Sequence, residues 1–244
     1  MSGWRGRTLA GATTASSVRS PILVTLCPIK PWVTFCAVTA LRRFPQRSRT
    51  MSWKDFLAAH MSVLAGADFF TVEVLKWRGL VTYYVLFFLH LETRRITIAG
   101  ITRHPDGEWM EQIARSATQE SWGYLNRCRY LLHDRDKKFC ASFRSALTAA
   151  GVKPMMLPAK SPNLNAYAER WVRSVKQECL SKLVLFGEGP LQRTLNEYTA
   201  HYHLERNHQG KENKLLTPLV KQNGQKIHCQ QRLGGLLKFY ARAA

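Results

Sequence analysis

Three carboxylates, Asp68, Asp134 and Glu169, stand where their surroundings would put them to chemical use. Asp68 is flanked by Ala67, Phe69 and Phe70, and a carboxylate buried among such neighbours needs a cation, a metal or a cleft to offset its lost hydration. Period-two alternation would also allow it to face outward. Asp134 directly follows the short apolar run Tyr130 to Leu132. Glu169 lies in SPNLNAYAERWVRSVKQECLSKL; at about 100° per residue, Arg173 falls roughly 40° and Lys176 roughly −20° from it, so the acid shares a helix face with two cations. The bland account of that face is a surface ion pair between Glu169 and Arg173, spaced i, i+4. Brought together, three carboxylates repel unless hard cations lie between them, and oxygen ligands with open water positions suit magnesium or manganese. Two such ions about 4 Å apart can activate a nucleophilic oxygen and stabilise a leaving oxygen in phosphodiester displacement.

The elements that must position these acids follow from periodicity. SVLAGADFFTVEVL, LVTYYVLFFLHL and RRITIAGIT are β-branched and aromatic runs with short connections, which predicts three antiparallel strands with Asp68 inside the first. Pro105 to Glu120 reads as a helix. Tyr130 to Leu132 reads as a fourth strand, with Asp134 at its C-terminal end, where active-site groups of open α/β sheets usually sit. A helix from about Lys137 to Ala150 and a fifth strand in VKPMML follow. The helix that carries Glu169 is expected to be capped by Ser161 or Asn163 and to bury Leu164, Ala168, Trp171, Val172, Val175, Cys179 and Leu183, with Leu180 as the exception. A last helix spans about Glu188 to Arg206, and RLGGLLKFYAR is a helical candidate near the end. In a mixed sheet with strand four beside strand one, Asp68 and Asp134 become neighbours.

The chain of 244 residues carries 36 Lys plus Arg against 16 Asp plus Glu, a formal charge of +20, with a hydrophobic fraction of 45% that suffices for a core. Such an excess on a foldable chain points to a polyanion, nucleic acid first, since neutralised phosphates release counterions. A membrane partner is not expected: no uninterrupted spanning segment is present, and the run from Pro21 to Leu41 is broken by Pro28, Lys30 and Pro31. The cysteines are scattered without a CxxC pair, so neither a disulfide framework nor a zinc site is indicated, and a cytoplasmic, reduced protein is expected. His201, His203, His208 and Cys229 read as scattered polar residues rather than ligands. Residues 1–50 have no acid and eight Lys or Arg. They are expected to lie outside the domain, as a disordered or non-native leader upstream of Met51 or a transit-like segment. The division expected is 1–50 leader, 51–218 catalytic core and 219–244 basic tail.

From Met51 to about Pro218 the chain resembles the catalytic core of DDE transposases and retroviral-type integrases. The resemblance rests on Asp68 in ADFFTVEVL, Asp134 in LLHDRDKKF, Glu169 in SPNLNAYAERWVRSVKQE and the closing segment HYHLERNHQGKENKLLTP. It implies an RNase H-like mixed five-stranded sheet with flanking helices, and metal-dependent cleavage and joining of DNA in transposition or integration. It further implies two Mg2+ or Mn2+ ions, with Asp68 bridging both and Asp134 and Glu169 each holding one. Arg170, Arg173 and Lys176 would contact DNA, and a homo-oligomer would hold two DNA ends in a bacterial, nucleoid-associated setting. The sequence departs from the family pattern at His133, Asp136 and His90. Asp136 competes with Asp134 for the ligand position, and the strand end favours Asp134. Residues 1–50 show no helix-turn-helix pattern before the core. An inactive DNA-binding relic of the same fold and a nuclease acting on RNA in hybrids are the alternative functions.

Overall fold

The computed structural model describes residues 51–157, 166–217 and 227–242, all within the unit Thr50–Ala244. The expectations for the leader, for the caps Ser161 and Asn163 and for Leu164 lie outside the described residues.

A helix that the sequence reading did not include, α1 (Trp53–His60), comes first, capped by the Ser52 side chain, which accepts the Asp55 N–H. Then come β1 (Leu64–Lys76), β2 (Gly79–His90) and β3 (Ile96–Thr102), close to the spans expected. They are followed by α2 (Gly107–Ala117), β4 (Tyr130–His133), α3 (Ala141–Ala149), β5 (Lys153–Met156), α4 (Ala166–Glu178) and α5 (Glu188–Leu204). The sheet order is β3-β2-β1-β4-β5. β1–β2 and β2–β3 are antiparallel, whereas β1–β4 and β4–β5 are parallel. This is the mixed five-stranded sheet expected, with strand four beside strand one.

Period-two alternation sorts the side chains between two layers. Phe70, Val72 and Val74 of β1 and Tyr83, Val85, Phe87 and Leu89 of β2 face α4 and α5. Ala65, Ala67, Leu86 and Phe88 face α2 and α3. Trp171 anchors α4, with its ring 4.4 Å from Phe87 and 5.5 Å from Phe70. Ala168, Val175 and Cys179 are buried beside it, and Val172, Leu180 and Leu183 are partly buried in the same cluster, so Leu180 is less of an exception than its helix angle suggests. On the other layer Trp109 packs so close to β3 that a Cβ on Gly100 would lie 2.8 Å from its ring, which only glycine tolerates.

Two helical boundaries differ from expectation. α2 begins at Gly107, capped by Asp106 through the Trp109 N–H, rather than at Pro105. α3 begins at Ala141 rather than near Lys137, because Asp134 and Asp136 accept the backbone N–H groups of Asp136 and Lys138 and hold the intervening residues in turns. The helical candidate RLGGLLKFYAR is corrected: residues 227–242 form a hairpin of β6 (Ile227–Arg232) and β7 (Leu237–Arg242). Leu233, Gly234 and Gly235 take left-handed φ values of 50°, 67° and 90°, which stop a helix, and β7 then alternates strictly in burial. The hairpin is joined to the rest of the unit. Leu237 is buried in the α4–α5 core, and Arg232 binds Glu197 and Glu205 of the α5 region.

Candidate active site

The register of the central strands sets the first two acids. In the parallel β1–β4 pair Ala67 lies opposite His133, so Asp68 and Asp134, one position further along, stand next to each other. Across the antiparallel pair Asp68 is opposite Phe87, the residue under Trp171, which puts Asp68 on the sheet face that carries α4. Both acids are half-buried. Asp68 accepts the N–H of Phe69 at 2.8 Å and Asp134 that of Asp136 at 3.1 Å.

Their neighbours are held by other contacts. His133, 2% exposed, stacks on Phe139 with centroids 4.8 Å apart and donates from Nδ1 to the Asp134 carbonyl at 2.7 Å. Burial first, and the Arg144 charge with it, push its imidazole below the usual range. Asp136 is held by Lys138: burial pushes its carboxyl up, but hydrogen bonds from the Lys138 ammonium and N–H outweigh this and hold it low. His90, expected to be structural, reaches the Ser62 carbonyl at 3.0 Å.

Glu169 lies in the first turn of α4, exposed, on the side of the helix away from Trp171. A carboxylate there is also favoured by the positive end of the helix dipole. The surface ion pair with Arg173 does not form among the described residues. Arg170, Arg173 and Lys176 are likewise exposed along α4. The register therefore brings Asp68 and Asp134 together, and Glu169 lies on α4, the helix packed on that face of the sheet. Among the described residues no three His, Cys, Asp or Glu side chains form a group able to hold a metal ion. The two adjacent carboxylates are nonetheless hard oxygen donors of the kind that Mg2+ or Mn2+ prefers.

The histidines of the closing segment act structurally. His201 bonds Glu205 at 2.8 Å, His208 donates to the Tyr202 carbonyl at 2.8 Å, and His203 Nε2 accepts the Ile96 N–H at 2.9 Å. Burial, reinforced by Arg95 and His208, pushes the His203 imidazole down to about 4. Periodicity did not reveal Glu178. At the end of α4 it accepts two hydrogen bonds from Arg206, at 2.9 and 2.6 Å, and one from Tyr198 at 2.9 Å, binding α4 to α5. Its partner Arg206 lies 28 residues on, beyond any helical spacing, and the only signal for it was the closing segment itself.

Residues 150–218 match the family model for the integrase core domain. That stretch contains Glu169, Arg170, Arg173, Lys176 and the closing segment, so the resemblance to transposase and integrase catalytic cores is borne out there from a direction independent of Asp68 and Asp134. No curated protein matches the sequence. Among solved structures the chain is similar to the HTLV-2 integrase catalytic core domain in complex with magnesium, in its trimeric form. The identity is 12%, with 64% of this chain and 93% of that chain covered and a TM-score of 0.47. It is also similar to the catalytic domain of the Mos1 mariner transposase, at 13% identity, 60% and 72% coverage and a TM-score of 0.46. Among the described residues no helix is long and apolar enough to cross a membrane.

Proposed function

We propose that this chain cleaves and joins DNA phosphodiesters, as the core of a transposase or integrase, with Asp68, Asp134 and Glu169 as its carboxylate set. The observation that carries this reading is the placement of Asp68 and Asp134 side by side at neighbouring strands, on the face covered by α4. The family match over residues 150–218 supports assigning Glu169 as the third member.

In this reading Asp68, Asp134 and Glu169 would together hold the divalent ions. Magnesium or manganese bound there supplies positive charge that activates an attacking oxygen and stabilises a leaving one. Water attacks phosphorus and the 3′ oxygen of the element end departs as a hydroxyl; that 3′ hydroxyl then attacks a target phosphorus, forming a new P–O3′ bond as the target's own 3′ oxygen leaves and takes up the proton. Arg170, Arg173 and Lys176 on α4 contact backbone phosphates, which positions DNA without reading its sequence. The partners are DNA and further copies of this chain that hold two ends together, in a bacterial cytoplasm at the nucleoid.

The test is strand cleavage and joining on labelled DNA with magnesium or manganese, comparing the full chain with Asp134→Asn. The wild type should nick and join, and the variant should do neither. Cleavage that survives the substitution would reject the site.

A further inference from the structure

Beside α4 a cavity of about 580 Å3 opens between that helix, the end of α5, the loop that follows it and the β2–β3 turn. Arg94, Arg170, Arg206 and Lys211 line it, and among its described lining residues none is acidic. Four cations around one cavity repel one another, and a fold tolerates this where an anion completes the set. Glu178, outside the lining, occupies Arg206 with both oxygens, which leaves three cationic side chains without a carboxylate partner among the described residues.

Arg94 is held rather than waving in solvent. The Arg94 guanidinium lies 3.2 Å over the Tyr167 ring. Its backbone takes φ 61°, a left-handed conformation that glycine adopts with far less strain, and strain retained at a non-glycine residue is a feature of ligand clamps. Its Nε is buried and has no hydrogen-bond acceptor among the described residues. Arg170 lies beside the loop, its Nη1 at an ordinary contact distance of 3.6 Å from where a Cβ on Gly210 would sit. Ser174, Asn207 and Gln209 add uncharged donors to the same wall. Planar guanidinium forks beside neutral donors match the oxygens of a phosphate better than they match a monovalent anion.

We infer that this cavity is a phosphate subsite for the nucleic-acid backbone, in which Arg94, Arg170 and Lys211 seize one phosphodiester a step away from the reacting bond. The inference rests on the DNA-processing reading above and deepens it: Arg170, next to Glu169 in sequence but about 100° around the helix, serves this cavity rather than the Asp68 and Asp134 edge.

Binding of fluorescein-labelled duplex DNA to the full chain, followed by anisotropy over a potassium chloride series, tests it. Arg170→Gln with Lys211→Gln should lower the magnitude of the log–log salt slope by about two. Arg94→Gly, which removes a guanidinium while relaxing the left-handed backbone, should lower it by about one and keep the protein folded even if the double variant melts early. Lys54→Gln with Lys238→Gln, an equal loss of charge elsewhere, should leave the slope near the wild-type value. The inference is overturned if wild type binds and the cavity variants keep its slope, or if the control pair lowers the slope as much. It is also overturned if the cavity variants lose only binding to phosphatidylserine vesicles. Failure of the wild type to bind DNA at any salt would instead remove the DNA-processing reading itself.

Discussion

Asp68 and Asp134 stand beside each other because the β1–β4 register pairs Ala67 with His133. Two like charges on neighbouring strands destabilise the sheet. Asp134→Asn should therefore melt at a slightly higher temperature than wild type in chelator. Magnesium should reverse the ranking, since a ligand at a hundredfold over its Kd stabilises by about 2.7 kcal/mol and the variant loses one of the donors. Melting curves with and without millimolar magnesium decide it. An equal magnesium shift in both proteins would remove Asp134 from the ion site.

The placement of Asp68 and Asp134 was legible because it depends on strand order and period, both of which the apolar runs declare. The edge of α3 was not, because Asp134 and Asp136 use their side chains to capture backbone N–H groups that a helix would have taken. The hairpin of β6 and β7 was misread as helix because LLKF carries no period of its own; the left-handed residues 233–235 and the contact of Arg232 with Glu197 and Glu205 decide the matter. The cationic cavity was invisible for a different reason. Arg94, Arg170 and Lys211 come from three separate elements, and only the packing of α4 and α5 on the sheet makes them neighbours.

His203 should make the fold sensitive to acid. Its imidazole accepts the Ile96 N–H and is pushed down to about 4, whereas the unfolded chain titrates near 6.5. Between these values the unfolded state binds more protons, so stability is complete above about 6.5 and falls as pH drops towards 4. His203→Gln keeps an acceptor that does not titrate and should remove most of that loss. Identical profiles for both proteins, from denaturant melts at a series of pH values, would assign the acid loss to other groups.

Glu178 and Arg206 tie α4 to α5, with Tyr198 as a third partner. Glu178→Gln keeps the shape but gives up the charged acceptor of a forked contact, and should cost about 2 kcal/mol in denaturant melts. Arg206→Lys keeps the charge and loses the fork, so it should recover less than half of that. Full recovery by lysine would show that charge alone, and not geometry, fixes α4.

Glu169 and Lys176 share one exposed face of α4 yet should fail in different ways. If Lys176 contacts phosphate as proposed, Lys176→Ala should weaken binding evenly across DNA sequences and lower the salt slope by about one. Glu169→Gln changes charge without changing shape on a helix whose other side is fixed by Trp171. It should abolish cleavage while DNA still binds, slightly more tightly through the loss of a negative charge. Both side chains are solvent-exposed, so neither substitution should move the melting temperature appreciably, and any loss belongs to function rather than folding. The paired measurements are anisotropy for binding and labelled-strand cleavage for chemistry. If Glu169→Gln loses binding as heavily as Lys176→Ala, the acid serves the DNA interface and the carboxylate set loses its third member.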